Sequence, residues 1–222
     1  MSFDVKALSA FKKLGAVSLI TATIFFTACN QTGGGKQKAP LVEGGASLIL
    51  SPDNLTINVG AKTEDGSDIA VEGCEETTLK SDDYTELHAT GTTVILKGKI
   101  TWLSCYKNQL TALNVQGCAS LQELYCYGNK LTALNVQGLT ALRTLNCYVN
   151  QLNAQAMTEL LNALPTREAG DDAIAMLYTE EKNYTEGNCK DLTQLESLKK
   201  ALEGAKKRNW TLQKRNASGD DI

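Results

Sequence analysis

Apolar positions along the chain fall into four successive regimes. Residues 14–26 form one predominantly apolar run of 13, with Lys6, Lys12 and Lys13 ahead of it. Residues 46–99 carry short apolar segments (SLIL, LTINV, DIAVEG, TELHA, TVILKG) separated by Gly, Asp and Ser clusters. That pattern predicts short β-strands. From residue 100 the pattern becomes periodic: residues 110–130 set over residues 131–151 give 13 identities in 21 positions without a gap. The preceding stretch supplies a third copy of the second half, so Ile100, Leu121 and Leu142 fall in one column and Leu103, Leu124 and Leu145 in the next. Further columns hold Cys105, Cys126 and Cys147; Asn108, Asn129 and Asn150; and Leu110, Leu131 and Leu152. After Leu152 the spacing turns helical. Asn153 stands as an N-cap before Met157, Leu160, Leu161 and Leu164, and Pro165 follows. A strand is predicted at 173–178, a second amphipathic helix through Leu192, Leu195, Leu198 and Leu202, and a last strand at 210–213.

Each copy reads L-x-x-L-x-C-x-x-N-x-L, the leucine-rich-repeat signature with Cys in the third apolar place and a period inside the usual range of about 20 to 29 residues. A coiled coil is opposed by the Asn and Gly positions and by the β-type spacing. Such copies stack as parallel strands about 4.8 Å apart. Leu124 and Cys126 then point inward and Tyr125 outward, while Leu131, Leu134 and Val136 fill the interior from the return segment. Asn108, Asn129 and Asn150 fall where the coil turns, where their amides can satisfy backbone groups of adjacent turns. The fold class this predicts is α/β: a leucine-rich-repeat solenoid with a parallel β-sheet on its concave face. Residues 46–99 form a β-rich N-terminal cap, 100–152 the repeats, 153–216 an αβαβ C-terminal cap, and 217–222 a tail.

The arrangement resembles the short cysteine-ladder, internalin-like repeat proteins of bacterial surfaces and the repeat lipoproteins of spirochaetes, which carry similar LTALNV and LxCxxNQL segments. The resemblance covers about residues 100–152. It implies a scaffold that binds other macromolecules, often host surface proteins, and it carries over no catalytic residue. Phe26-Thr27-Ala28-Cys29 resembles a lipobox, in which small residues precede a Cys that is acylated and becomes the mature N-terminus; Phe26 replaces the usual Leu, as in looser spirochaetal forms. Residues 1–28 are thus expected to be a lipoprotein signal peptide, since 13 residues are short of the ~20 that span a bilayer. Cys29 is the expected lipidation site, and the Gly-rich, polar residues 29–45 a flexible tether. The expected localisation is a bacterial cell envelope, exported and lipid-anchored to a membrane.

Charge and composition narrow the chemistry. The full chain has 22 Lys and Arg against 25 Asp and Glu; without residues 1–28 the counts are 19 and 24, a net of −5. Nucleic acid is therefore not an expected partner. His88 is the single His, which removes His-pair metal motifs and leaves one imidazole for acid–base work. No metal, cofactor, catalytic set or small-molecule substrate is expected. The acidic stretch Glu64-Asp65-Gly66-Ser67-Asp68 lacks the ligand spacing of a calcium loop and reads as a solvated turn. Seven Cys raise the question of disulfides. Matching positions on adjacent parallel strands lie ~5 Å apart at Cβ, beyond the ~3.5 to 4.5 Å a disulfide tolerates, so Cys105, Cys126 and Cys147 are expected as packed thiols. Cys118 shares the column of Leu139 and is expected in the core, while Cys74 and Cys189 remain open.

The expected partner is a protein, either a host surface protein or another envelope component, with the membrane engaged only through the lipid. Its binding face would be the outward strand positions: Trp102, Ser104 and Tyr106; Glu123, Tyr125 and Tyr127; Thr144, Asn146 and Tyr148. Tyr and Trp suit such a face because they combine large apolar area with a hydrogen-bonding tip. The other reading is that the Tyr106, Tyr127 and Tyr148 column packs along itself and stabilises the sheet, leaving a structural envelope protein with no host ligand.

Overall fold

The computed structural model describes residues 38–216 and 222. The expected signal segment 1–28, Cys29 and residues 30–37 of the expected tether lie outside the described residues, as do residues 217–221 of the tail. Ahead of the repeats' first column the N-terminal half is already a succession of strands: β1 (Gly45–Ile49), β2 (Thr56–Thr63), β3 (Ile69–Glu72), β4 (Thr78–Leu79), β5 (Asp83–His88) and β6 (Thr93–Lys97). The periodic region adds β7 (Ile100–Ser104), β8 (Ala112–Asn114), β9 (Glu123–Tyr125) and β10 (Thr144–Asn146). Helix α1 (Ala154–Ala163), β11 (Ala173–Thr179), α2 (Glu196–Lys207) and β12 (Trp210–Arg215) complete the order. No helix among the described residues is long and apolar enough to cross a membrane.

The strands form two sheets. One has five strands in the order β4-β3-β6-β1-β8, all antiparallel; the other has seven in the order β12-β11-β10-β9-β7-β2-β5. This overturns the α/β reading of a leucine-rich-repeat solenoid closed by two caps. The described residues are mostly β, with twelve strands in two sheets, one antiparallel and one mixed, and two helices. The reason is visible in the pairing. Residues 46–99 do not sit across the end of a repeat stack as a separate lid. Their strand β2 pairs antiparallel with the first repeat strand β7 and with β5, inside the same sheet as the repeats. Strand β1 likewise pairs with both β6 and the repeat-derived β8. Repeat strands of three residues satisfy few ladder bonds, so the longer N-terminal strands carry the architecture on both faces.

Within the larger sheet β7, β9, β10, β11 and β12 are parallel and in register, which aligns Leu103, Leu124, Leu145, Ala175 and Leu212 in one inward row. All five are buried. Alternation explains the elements: Ile57, Val59 and Ala61 of β2 face the same core, with Thr56 and Asn58 outside. Leu131, Leu134 and Val136 close that core from the opposite side. Helix α1 begins where Asn153 accepts a hydrogen bond from the Ala156 amide at 2.9 Å, and its apolar stripe Met157, Leu160 and Leu161 is buried.

At the strand ends a run of buried asparagines ties each layer to the next. Asn108 Oδ1 accepts from the Asn58 amide, and its Nδ2 donates back to the Asn58 carbonyl (2.9 and 2.8 Å). Asn129 accepts from the Asn108 and Leu110 amides and donates to the Cys105 and Cys126 carbonyls. Asn150 repeats this with the Leu131 amide and the Cys126 and Cys147 carbonyls. Asn188, absent from the sequence columns, is the next rung: it accepts from Leu152 and donates to Cys147 and Leu177 at 2.8 to 2.9 Å. Cys105, Cys126 and Cys147 lie fully buried beside these carbonyls as free thiols. Burial raises their pKa, that of Cys105 to about 12, so they remain unionised and poorly nucleophilic.

Each copy turns just before its Asn through a left-handed residue: Lys107 (φ 55°), Gly128 (φ 70°) and Val149 (φ 52°). For a β-branched residue this backbone is strained. The Glu186 carboxylate holds it, accepting from the amides of Val149, Thr179 and Asn188.

Two stability outcomes follow. Leu124→Ala, which empties the middle of the inward row, should cost about 2 to 5 kcal/mol in urea unfolding. Asn129→Leu should cost at least as much, because the Asn108 and Leu110 amides and the Cys105 carbonyl lose their partner at about 1 to 3 kcal/mol for each group left unsatisfied, while the Cys126 carbonyl keeps Asn150. A loss below about 1 kcal/mol for Asn129→Leu would show that the ladder is dispensable.

Candidate functional site

The outward face of the seven-stranded sheet follows from the same register. Lys62, Trp102, Glu123, Thr144 and Ile174 form one row across it, and Gly60, Ser104, Tyr125, Asn146 and Met176 the next. Tyr106, Tyr127 and Tyr148 extend the face just beyond the strand ends. Their rings stack face to face, with centroids 4.9 and 4.6 Å apart and planes within 8°. That separation is the spacing of the strands themselves.

Two aromatic residues outside the repeat columns join this array. Tyr84 of β5 stands edge-on to Trp102 at 5.5 Å and to Tyr106 at 6.2 Å. Tyr184, from the segment after β11, stands edge-on to Tyr148 at 6.1 Å. With the tilted contact between Trp102 and Tyr125 at 6.5 Å, the rings make one unbroken chain from Tyr125 through Trp102, Tyr84, Tyr106, Tyr127 and Tyr148 to Tyr184. Six of the seven tyrosines and one of the two tryptophans thus lie on one face. Lys107 Nζ sits 5.7 Å from the Tyr184 ring centre, a cation–π contact that closes this end. Gly60 makes the other end possible. A Cβ there would lie 2.6 Å from the Trp102 ring and 2.9 Å from the Tyr84 ring.

The nine face residues expected from the sequence are not equivalent. Ser104 is buried, its Oγ accepting from the Tyr84 hydroxyl at 3.0 Å, and Tyr148 is 5% exposed. Trp102, Tyr106, Glu123, Tyr125, Tyr127, Thr144 and Asn146 are half-buried. Glu123 accepts from the Tyr125 hydroxyl at 2.9 Å. Burial, and secondarily that carboxylate, raise the Tyr125 pKa to about 12; burial likewise raises Tyr127 and Tyr148. The phenols therefore present neutral hydroxyls at physiological pH. Both faces of Tyr127 and one face each of Tyr106 and Tyr148 are taken by the stack, and Tyr84 and Tyr184 stand edge-on to its two end rings, so open apolar area is concentrated around Trp102, Tyr84 and Tyr125.

Sequence reasoning missed Gly60, Tyr84 and Tyr184. The first two lie in non-repeating strands, and only the antiparallel register Gly60↔Tyr84 and Gly60↔Ser104 brings them beside Trp102. Tyr184 lies 36 residues beyond Tyr148, so a 21-residue period passes it by. Cys118 is buried, while Cys74 and Cys189 are half-buried; all are free thiols. Among the described residues no group of three His, Cys, Asp or Glu side chains is placed to hold a metal ion.

His88 lies at the margin of the same face. Its Nδ1 is 2.7 Å from Glu76 Oε1, its amide donates to Glu76 Oε2, and its Nε2 is 3.6 Å from Glu86. The hydrogen bond to Glu76 raises the His88 pKa above 6.5, and the same contact lowers Glu76 to about 2.

No known protein family, no curated protein and no solved structure shows significant similarity to the chain.

Two outcomes test this geometry. The contribution of the Glu76–His88 pair is complete between pH 4.5 and 6.5, declines at higher pH as His88 deprotonates, and declines at lower pH as Glu76 protonates. An NMR titration of the single imidazole should show a midpoint above 6.5 that falls back in Glu76→Gln. In Gly60→Ala the added methyl should displace both rings, seen as loss of the Tyr84–Trp102 cross-peaks with the inward core signals retained.

Proposed function

We propose that the protein is a binding module of a bacterial cell envelope, exported and held on a membrane by acylation of Cys29, which captures a protein partner on the aromatic face around Trp102, Tyr84, Tyr125 and Tyr127. The observation that carries this reading is the gathering of six tyrosines and one tryptophan onto one side of one sheet. Such residues dominate interaction hot spots, where a buried aromatic contributes about 2 kcal/mol or more. The membrane attachment rests on the order of basic residues, apolar run, small residues and Cys in residues 1–29. The partner is a host surface protein or another envelope component. The arrangement uses no catalytic group.

One observation favours a second reading, a structural envelope component with no host ligand: the Tyr106–Tyr127–Tyr148 stack follows the strand spacing and stabilises the sheet by itself. The two readings separate in one experiment. Trp102→Ala, Tyr125→Ala and Tyr127→Ala together should reduce crosslinking to the partner on intact cells by about thirtyfold or more while the melting transition persists, as loss of one hot spot already implies. Unchanged crosslinking would remove the face from the binding reading, and complete protection from external protease would place the partner inside the envelope.

A further inference from the structure

The chain's modest net charge conceals a segregation along its length. Residues 46–99 hold ten Asp and Glu against four Lys, a net of −6. Residues 196–216 hold seven Lys and Arg against two Glu, a net of +5. The topology sends these to opposite ends of the same sheet. Strand β5 is one edge of the seven-stranded sheet, and β4 packs against it, so the β3–β4 edge of the smaller sheet shares this end. Strand β12 is the other edge, and α2 packs on it.

Ion pairing inside the chain leaves part of each charge set over. At the acidic end Asp82 pairs with Lys62, Glu72 with Lys97, and Glu76 and Glu86 flank His88. Glu64, Asp68, Glu75 and Asp83 are exposed, with no cationic side chain at ion-pair distance among the described residues. At the basic end Lys199 pairs with Glu196, Lys214 with Glu180 and Arg215 with Glu181. Lys200, Lys206 and Lys207 of α2 are exposed and have no carboxylate at that distance among the described residues. Six strand gaps of about 4.8 Å separate the two edges by roughly 29 Å, several times the ~8 Å Debye length at physiological salt. The two sets therefore cannot neutralise each other within one molecule.

We infer that the outer face of α2 is a docking surface for the acidic β3–β5 end of a second copy of this chain, giving head-to-tail association. The contact is heterologous, since each molecule offers a different surface at each end, so it extends copy by copy rather than closing as a two-fold dimer. It is made by side chains and not by strand addition, because the Ile222 amide already donates to the Leu212 carbonyl at the β12 edge. It is independent of the aromatic face, which lies on the broad side of the sheet.

A charge-exchange experiment on the full-length chain, kept in mild non-ionic detergent, decides the matter. In sedimentation velocity the wild-type chain should self-associate with rising concentration, and the association constant should fall at least tenfold between about 0.05 and 0.5 M salt. The triple variant Lys200→Glu, Lys206→Glu, Lys207→Glu, acidic at both ends, should be monomeric. So should Glu64→Lys, Asp68→Lys, Glu75→Lys, which brings residues 46–99 to a net charge of zero and leaves the α2 end basic. Mixing the two triple variants should restore association. All carry exposed substitutions and should keep the wild-type circular dichroism. Wild-type monomers at every concentration, or two variants that stay apart when mixed, would overturn the proposal. So would wild-type monomers that pellet with vesicles rich in anionic lipid and lose that property in the Lys triple variant, which would assign the α2 face to a membrane instead.

Discussion

Everything in the larger sheet depends on how the backbone is satisfied at the strand ends. A parallel stack whose middle strands, β9 and β10, are only three residues long leaves turn amides and carbonyls facing inward, out of reach of water. Asn108, Asn129, Asn150 and Asn188 answer these with both halves of a side-chain amide, and Asn129, Asn150 and Asn188 each bind the layer before them as well as their own. The ladder starts on Asn58 of β2, so the same interaction that joins repeat to repeat also joins the repeats to the antiparallel N-terminal strands. Spacing between layers, the cysteine carbonyls, and the tyrosine stack outside them are all set by this repeat of one hydrogen-bond unit.

The aromatic face is a consequence of that spacing. Rings on adjacent strands at equivalent positions are brought to stacking distance without any adjustment, which is why Tyr106, Tyr127 and Tyr148 lie nearly coplanar in orientation. Stacking takes both faces of Tyr127 and one face each of Tyr106 and Tyr148 and gives the sheet rigidity, while the tilted and edge-on rings at the β5 side leave more area open. One face therefore holds two kinds of aromatic surface: a self-packed column and an accessible group around Trp102. Charge adds a third division, acid at the β5 end and base at the α2 end, with the broad face between them nearly neutral.

The repeat was legible because it is written in identical letters. Leu103, Leu124 and Leu145, the cysteine column and the first three asparagines are all core residues that a 21-residue alignment exposes. The whole architecture was not. The N-terminal segments read correctly as short strands, but alternation says nothing about which strand pairs with which, and β2 joining β7 depends on contacts some 40 residues apart in the chain. Asn188 and Tyr184 continue the ladder and the ring chain after an inserted helix and strand, where no fixed period leads to them. The left-handed column is harder still, since Lys107, Gly128 and Val149 share a backbone conformation and nothing in side-chain chemistry.

The sequence alone thus determined which side chains turn inward, because burial demands apolar groups at regular intervals and those intervals survive in the letters. It also marked the turns, where a buried amide is required and Asn supplies it. Only the tertiary structure decided the partners of the N-terminal strands, the mixed two-sheet architecture, the place of Gly60 and Tyr84 beside Trp102, and the opposition of acidic and basic ends. The physical reason is that strand pairing is made by backbone groups every residue possesses, so its choice is settled by the packing of the whole chain rather than by any local pattern.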